Sequence, residues 1–145
     1  LNFIIYGAQS MSSLINGLLE YAQLSFDKQD HFSPKDLNII LKVVKQNLRK
    51  QISEHQVQII AHLLPENVPI VTPKMIQLIQ NLISNAIKFR KKDTPCIIKI
   101  TSKNINTHYQ LSIRDNGIGI PLKYQKDIFT IFKKLHNGTD YQGNG

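Results

Sequence analysis

The apolar residues Leu1, Ile4, Ala8, Met11, Ile15, Leu18 and Ala22 follow one another in steps of three and four, the rhythm of a helix that lies along a partner helix. Leu14 and Leu19 widen the stripe, which favours a helical bundle over a two-stranded coiled coil. A stripe of this length predicts a homodimer through residues 1–24; the alternative is a core helix covered by the rest of its own chain. Periodicity stops at residues 25–31, where polar groups gather, and this stretch reads as a linker.

From residue 32 the pattern changes. Ser33-Pro34-Lys35-Asp36 supplies an N-cap, a first-turn proline and an acid, and Leu37, Ile40, Leu41, Val44, Leu48 and Ile52 then mark one face of a helix. Alternation through Val57, Ile59, Ala61 and Leu63 predicts a strand, and residues 65–69 a loop. Thr72-Pro73 is expected to cap a helix over residues 73–90. Residues 96–103 and 108–114 predict two strands joined at 104–107 as a hairpin, with a short helical stretch around 124–135 and a polar, glycine-bearing tail. This order predicts an α+β fold with helices packed on one face of a mixed sheet.

Advancing the helix over 73–90 by ~100° per residue gathers Ile76, Ile79, Ile83, Ala86 and Ile87 into a core face, with Leu82 at its edge. Asn81, Asn85 and Lys88 fall within a sector of roughly 60° on the other side. A solvated face is one explanation, although asparagine is a poor mid-helix residue. The other is chemical: amide oxygens suit Mg²⁺, and an ammonium suits phosphate. Spacing alone leaves both open. In the second hairpin strand, alternation that buries Tyr109, Leu111 and Ile113 puts Asp115 on the same side. A carboxylate there suits a donor such as an adenine amino group, with Gly117 and Gly119 admitting a flat ligand between Ile118 and Ile120. Asp-Asn-Gly is also a common turn signal.

Together these motifs resemble sensor histidine kinases. Gln77-Leu-Ile-Gln-Asn81-Leu-Ile-Ser-Asn85-Ala-Ile-Lys88-Phe89 resembles their N box, and Asp115-Asn-Gly117-Ile-Gly119-Ile the G1 box. Ile128-Phe129-Thr-Ile-Phe132-Lys-Lys134-Leu-His136 looks like the F box, and Gly143-Asn-Gly145 like the start of the G2 box. Upstream, Met11-Ser-Ser-Leu-Ile-Asn-Gly-Leu-Leu-Glu-Tyr-Ala22 resembles the end of a second dimerisation helix, in the manner of phytochrome-like and hybrid kinases.

The resemblance implies a two-layer sandwich of the Bergerat type, with residues 1–24 the C-terminal part of the second dimerisation helix, 25–31 the linker and 32–145 the ATP-binding catalytic domain, ending within the nucleotide lid. It implies that Asp115 accepts from the adenine amine, that Asn85 ligates Mg²⁺, and that Lys88 and Lys134 contact phosphate. Phe89, Gly117, Ile118, Gly119, Ile120, Phe132, Gly143 and Gly145 complete the implied nucleotide site. Asn81 stands where related ATPases keep a water-activating glutamate; an amide is no general base, so transfer is expected to outrun hydrolysis. Lys134 replaces a frequent arginine, keeping the charge and losing the bidentate fork. The phospho-accepting histidine is expected upstream, because His31, His55, His62, His108 and His136 all lack the histidine-acid-leucine-arginine context. A response regulator is the implied downstream partner. The alternatives are a non-catalytic dimerisation module with a vestigial pocket and a related ATP-hydrolysing enzyme.

Composition adds little. The net charge of +8 is dispersed apart from Arg90-Lys91-Lys92 and Lys133-Lys134, and there is no aromatic-plus-basic motif, so nucleic-acid binding is not expected. No apolar run approaches the ~18 residues of a membrane span, and no leader opens the chain, so a cytoplasmic location without membrane contact by this segment is expected. The single cysteine, Cys96, fits a reducing compartment and a buried strand position.

Overall fold

The structure, a computed structural model, describes residues 31–126 together with Met11, Ser12, Ile15, residues 17–19 and Ile128. The chain divides into two compact units, Asp30–Gly119 and a second formed by Leu1–Gln29 with Ile120–Gly145.

In the first unit, Ser33–Lys35 is extended as strand β1 and pairs antiparallel with β3 (Val68–Ile70), Pro34 lying opposite Pro69. This overturns two expectations. The cap of helix α1 (Leu37–Asn47) is Asp36 instead of Ser33, its carboxylate accepting from the Asn38 N–H at 2.7 Å. The loop expected over residues 65–69 runs into a strand, and prolines without N–H groups keep the ribbon to three residues a side. Asn38 ties α1 to the same region, accepting from Leu64 N–H at 3.1 Å and donating to Leu64 O at 2.9 Å.

The expected long helix is broken at Leu48, whose φ of −94° and ψ of 8° separate α1 from α2 (Arg49–Glu54). Leu48 is nevertheless buried and Ile52 packs against the core, so the apolar face continues across the break. Helix α3 (Thr72–Lys88) starts one residue earlier than expected. Val71 is its N-cap, no side chain caps it, and Pro73 presets the first turn, so Thr72 is not the cap.

Strand β2 (Gln58–Ala61) runs parallel to β4 (Ile97–Ile105), which pairs antiparallel with β5 (His108–Asp115). The sheet, in the order β2-β4-β5, is therefore mixed. The hairpin turn is tighter than expected: only Asn106 and Thr107 lie between the strands, with Asn106 at a φ of 53° that asparagine tolerates.

One face of the sheet is covered. Ile98 and Ile100 are buried, whereas Lys99 and Thr101 between and beyond them are exposed. They share a core with Leu37, Ile40, Leu41 and Val44 of α1 and Ile79, Ile83, Ala86 and Ile87 of α3. Each leucine, isoleucine or valine among them contributes roughly 1.5–3 kcal/mol through burial. Ile76 is partly buried against this core, as the helical spacing predicted, whereas Leu82, expected at the edge of that face, is 43% exposed and outside the core. An Asn47 Nδ2 to Gln80 Oε1 hydrogen bond of 3.0 Å joins α1 to α3 at the surface.

In the second unit, Met11, Ser12, Ile15 and residues 17–19 are helical, and Met11, Ile15, Leu18 and Leu19 are each more than half exposed. Leu122–Tyr124 forms a single 3₁₀ turn, with the Lys123 ammonium 4.7 Å from the centre of the Tyr124 ring. Most of the helical stretch expected over 124–135, together with Phe132, Lys134, Gly143 and Gly145, lies outside the described residues.

Candidate functional site

Helix α3 has an apolar side that is fully used and a polar side that is not. Asn81 and Asn85 are exposed four residues apart, and Lys88, one turn further, is partly buried with its ammonium 4.7 Å from the centre of the Phe89 ring. The helix stops at Phe89, whose N–H still donates to Asn85 O at 2.9 Å. Two of the terminal carbonyls find partners outside the helical ladder. The Arg90 guanidinium donates to Ile87 O at 2.9 Å, and the Ile118 N–H donates to Phe89 O at 3.0 Å.

That second bond seats the segment after β5 on the end of α3. Asp115 closes the ladder opposite Ile98 and so stands on the helix-covered side of the sheet, as alternation predicted. Leu111 and Ile113 pack against the core on that side, but Tyr109 is 44% exposed and is not buried as expected, because it sits near the hairpin tip opposite exposed Asn104. The Asp115 carboxylate is itself exposed. Its Oδ1 accepts from the Gly117 N–H at 2.8 Å, leaving the other oxygen without an internal donor in this turn.

Gly117 is required by close approach. A Cβ there would come within 2.5 Å of Phe89 O and 2.7 Å of Asp115 Oδ1. Gly119 is required by backbone conformation instead, with a φ of +71° and open space around it. Ile118 and Ile120 are 40% and 44% exposed, available as apolar surface.

Cys96 lies just before β4, buried, with its Sγ 3.9 Å from Ala86 O as a weak donor. Burial pushes its thiol above the ordinary value; the Arg90 charge pulls it down and the Asp115 charge pushes it up again. Asn116, which the sequence reading passed over as turn chemistry, accepts from Ile97 N–H at 2.9 Å and donates to Pro95 O at 2.8 Å.

The structure thus joins the end of the Asn81, Asn85 and Lys88 helix to the Asp115–Gly119 turn. The described residues hold no group of three or more His, Cys, Asp or Glu side chains that could cage a metal ion. The exposed amides of Asn81 and Asn85 fit Mg²⁺ only in the mode where phosphate oxygens and water supply the remaining ligands.

Residues 71–145, just over half of the chain, match the family described as histidine kinase-, DNA gyrase B- and HSP90-like ATPases. The chain belongs to this family. It is 34% identical over 145 residues to cyanobacterial phytochrome A of Nostoc, which covers all of this chain and 19% of that protein. The chain spans about a fifth of the length of the curated relatives it matches. The structure of histidine kinase ThkA in complex with response regulator protein TrrA aligns with a TM-score of 0.71 at 23% identity, covering 92% of this chain and 39% of that one. Acinetobacter baumannii histidine kinase AdeS aligns with a TM-score of 0.64 at 20% identity, covering 90% of this chain and 61% of that one. The α+β fold with a mixed sheet is the one these ATPase-family kinases share.

Proposed function

We propose that this chain is the ATP-binding catalytic part of a sensor histidine kinase, which transfers the γ-phosphoryl group of ATP to a histidine upstream of the chain. Supporting this most directly is the seating of the Asp115–Gly119 turn on the C-terminal end of α3, which puts a carboxylate for a base and an amide-and-ammonium stripe for phosphates on neighbouring elements. Asp115 accepts from the adenine amino group through its second oxygen, while Gly117 and Gly119 let the ring approach beside Ile118 and Ile120. In this reading Asn85 would hold Mg²⁺, Lys88 and Lys134 would contact phosphate, and Phe89, Phe132, Gly143 and Gly145 would belong to the nucleotide-binding set, Lys134 and the last three lying outside the described residues.

Mg²⁺ carried in with ATP supplies charge neutralisation on the phosphates. The protein's own part is positioning and further neutralisation, which phosphoryl transfer chiefly needs. Asn81 orients ligands without abstracting a proton from water, which reserves ATP for transfer.

The phosphohistidine then serves a response regulator, as the complex of ThkA with TrrA suggests for its own family. Residues 1–24 act as the C-terminal part of the second dimerisation helix, 25–31 as the linker and 32–145 as the ATP-binding catalytic domain, in a homodimer formed through the exposed Met11, Ile15 and Leu18 face. No helix among the described residues is long and apolar enough to cross a membrane.

The test is radiolabel transfer from ATP in the full-length protein. Asn85→Ala is expected to abolish transfer while circular dichroism stays unchanged, since Asn85 is exposed and outside the core. Transfer that survives in this variant would remove Asn85 from the metal role.

A further inference from the structure

Two anchors hold the turn that follows β5. One is the Ile118 N–H to Phe89 O bond at the end of α3. The other is a side chain. At Asn116 the chain leaves the β4–β5 ladder, whose last paired position is Asp115 opposite Ile98. At the start of β4 and just before it, the Ile97 N–H and Pro95 O are the main-chain groups within reach of Asn116. The Asn116 carboxamide meets both, its oxygen accepting from Ile97 N–H at 2.9 Å and its nitrogen donating to Pro95 O at 2.8 Å.

A carboxamide carries one acceptor and one donor group at the spacing of a peptide bond, so Asn116 stands in for a missing strand residue. Its own main chain is thereby released to turn. The turn it begins is the one in which Gly117 N–H grips Asp115 Oδ1 at 2.8 Å.

We infer that Asn116 is a positioning residue for base selection: by clamping the chain to Pro95 and Ile97 it fixes the rotamer in which Asp115 meets a purine 6-amino group. The inference rests on the reading of Asp115 as the base acceptor. Its physical basis is that Asp115 is exposed, and among the described residues its carboxylate is restrained only by the Gly117 N–H of this same turn. Without the clamp, the 115–117 turn is held at Ile118 alone, and the carboxylate samples rotamers that miss the amine. Loss of binding then falls on the 6-position contact more than on the phosphate contacts, which belong to a different element.

The distinguishing measurement is the ratio of affinities for ADP and inosine diphosphate, which bears an oxo group where adenine has its amine. It is measured by calorimetry on the full-length protein, with thermal unfolding recorded alongside. The unmodified protein prefers ADP. Asp115→Asn is expected to erase the preference. Asn116→Ala is expected to narrow it roughly five- to tenfold, the scale of one well-placed hydrogen bond, while changing inosine diphosphate binding much less. Asn116→Asp keeps the acceptor for Ile97 N–H but sets an oxygen against Pro95 O in place of the donor, so it too is expected to narrow the preference.

If Asp115→Asn leaves the ratio unaltered, the base reading fails and this inference with it. If Asp115→Asn erases the preference but Asn116→Ala and Asn116→Asp weaken both nucleotides equally, Asn116 serves the fold only and this inference fails alone. Should Asn116→Ala not fold, Asn116→Asp decides between the same two results.

Discussion

Replacing Gly117 by alanine measures how tightly the turn after β5 is seated on α3. The new Cβ would meet Phe89 O at 2.5 Å and Phe89 C at 3.3 Å, both main-chain atoms at the end of a packed helix. Restoring ordinary carbon–oxygen contact of about 3.3 Å requires a relative shift of roughly 0.8 Å. A shift of that size stretches the 3.0 Å Ile118 N–H to Phe89 O bond past hydrogen-bonding length. It also displaces Asp115 Oδ1, 2.7 Å from the new atom, from its bond to the Gly117 N–H. Two hydrogen bonds at about 1 kcal/mol each, with some residual crowding, give about 2–3 kcal/mol. For the unit Asp30–Gly119 that corresponds to a fall in Tm of roughly 10–15 °C.

Gly119→Ala is the internal comparison. Nothing lies within 4 Å of its added Cβ, so its cost comes only from the φ of +71° and should be about 1 kcal/mol. Urea unfolding of both variants, read by circular dichroism, separates the two causes. A Gly117→Ala variant no less stable than Gly119→Ala would refute the close approach of the turn to the helix end.

Three further outcomes follow from the same structure. Ile83→Ala, at a fully buried position between α1 and the sheet, is expected to cost about 2–5 kcal/mol in urea unfolding, whereas Leu82→Ala next to it should cost far less. The raised Cys96 thiol makes it slow to alkylate at neutral pH; its share of stability is fully present below 9.0 and is lost as pH climbs from there through the higher folded value, because the unfolded chain releases the proton first. Iodoacetamide labelling against pH, native and in urea, checks both parts. Ile15→Glu with Leu18→Glu should turn a dimer into a monomer by sedimentation equilibrium with the domain after residue 32 still folded; a protein that is already monomeric at high concentration would overturn the intermolecular seam.

Helix α3 was legible because a 3.6-residue period separates Ile79, Ile83 and Ile87 from Asn81 and Asn85 whatever surrounds them. Asp115 was legible for a similar reason, its side of the sheet following from parity along one strand. Strand β3 was hidden, since its three residues include Pro69 and exist as a strand only by pairing with Ser33–Lys35, more than 30 positions away. The caps were misplaced for a related reason: Ser33 has the chemistry of a cap, but the β1 pairing keeps it extended and hands the role to Asp36. Tyr109 looked like a core residue because alternation says which side a residue takes, not how far along the strand the helices reach. Asn116 was legible as turn chemistry but not as a clamp, for its partners at 95 and 97 become neighbours only once the hairpin register is set.

The parallel pairing of β2 with β4 orders events during synthesis. Gln58 must wait for Ile97, roughly 40 residues and some two to eight seconds of translation later, before its strand has a neighbour. The hairpin of β4 and β5 needs only the two-residue turn at Asn106 and can close within microseconds of emerging. Until then α1 and α3 have no sheet to cover, and Ile40, Val44, Ile79 and Ile83 remain open to chaperones on the nascent chain. The emergence of β4 is thus the step that commits this unit to its fold, and slowing the ribosome just before it lengthens the interval in which the half-made core is vulnerable to aggregation.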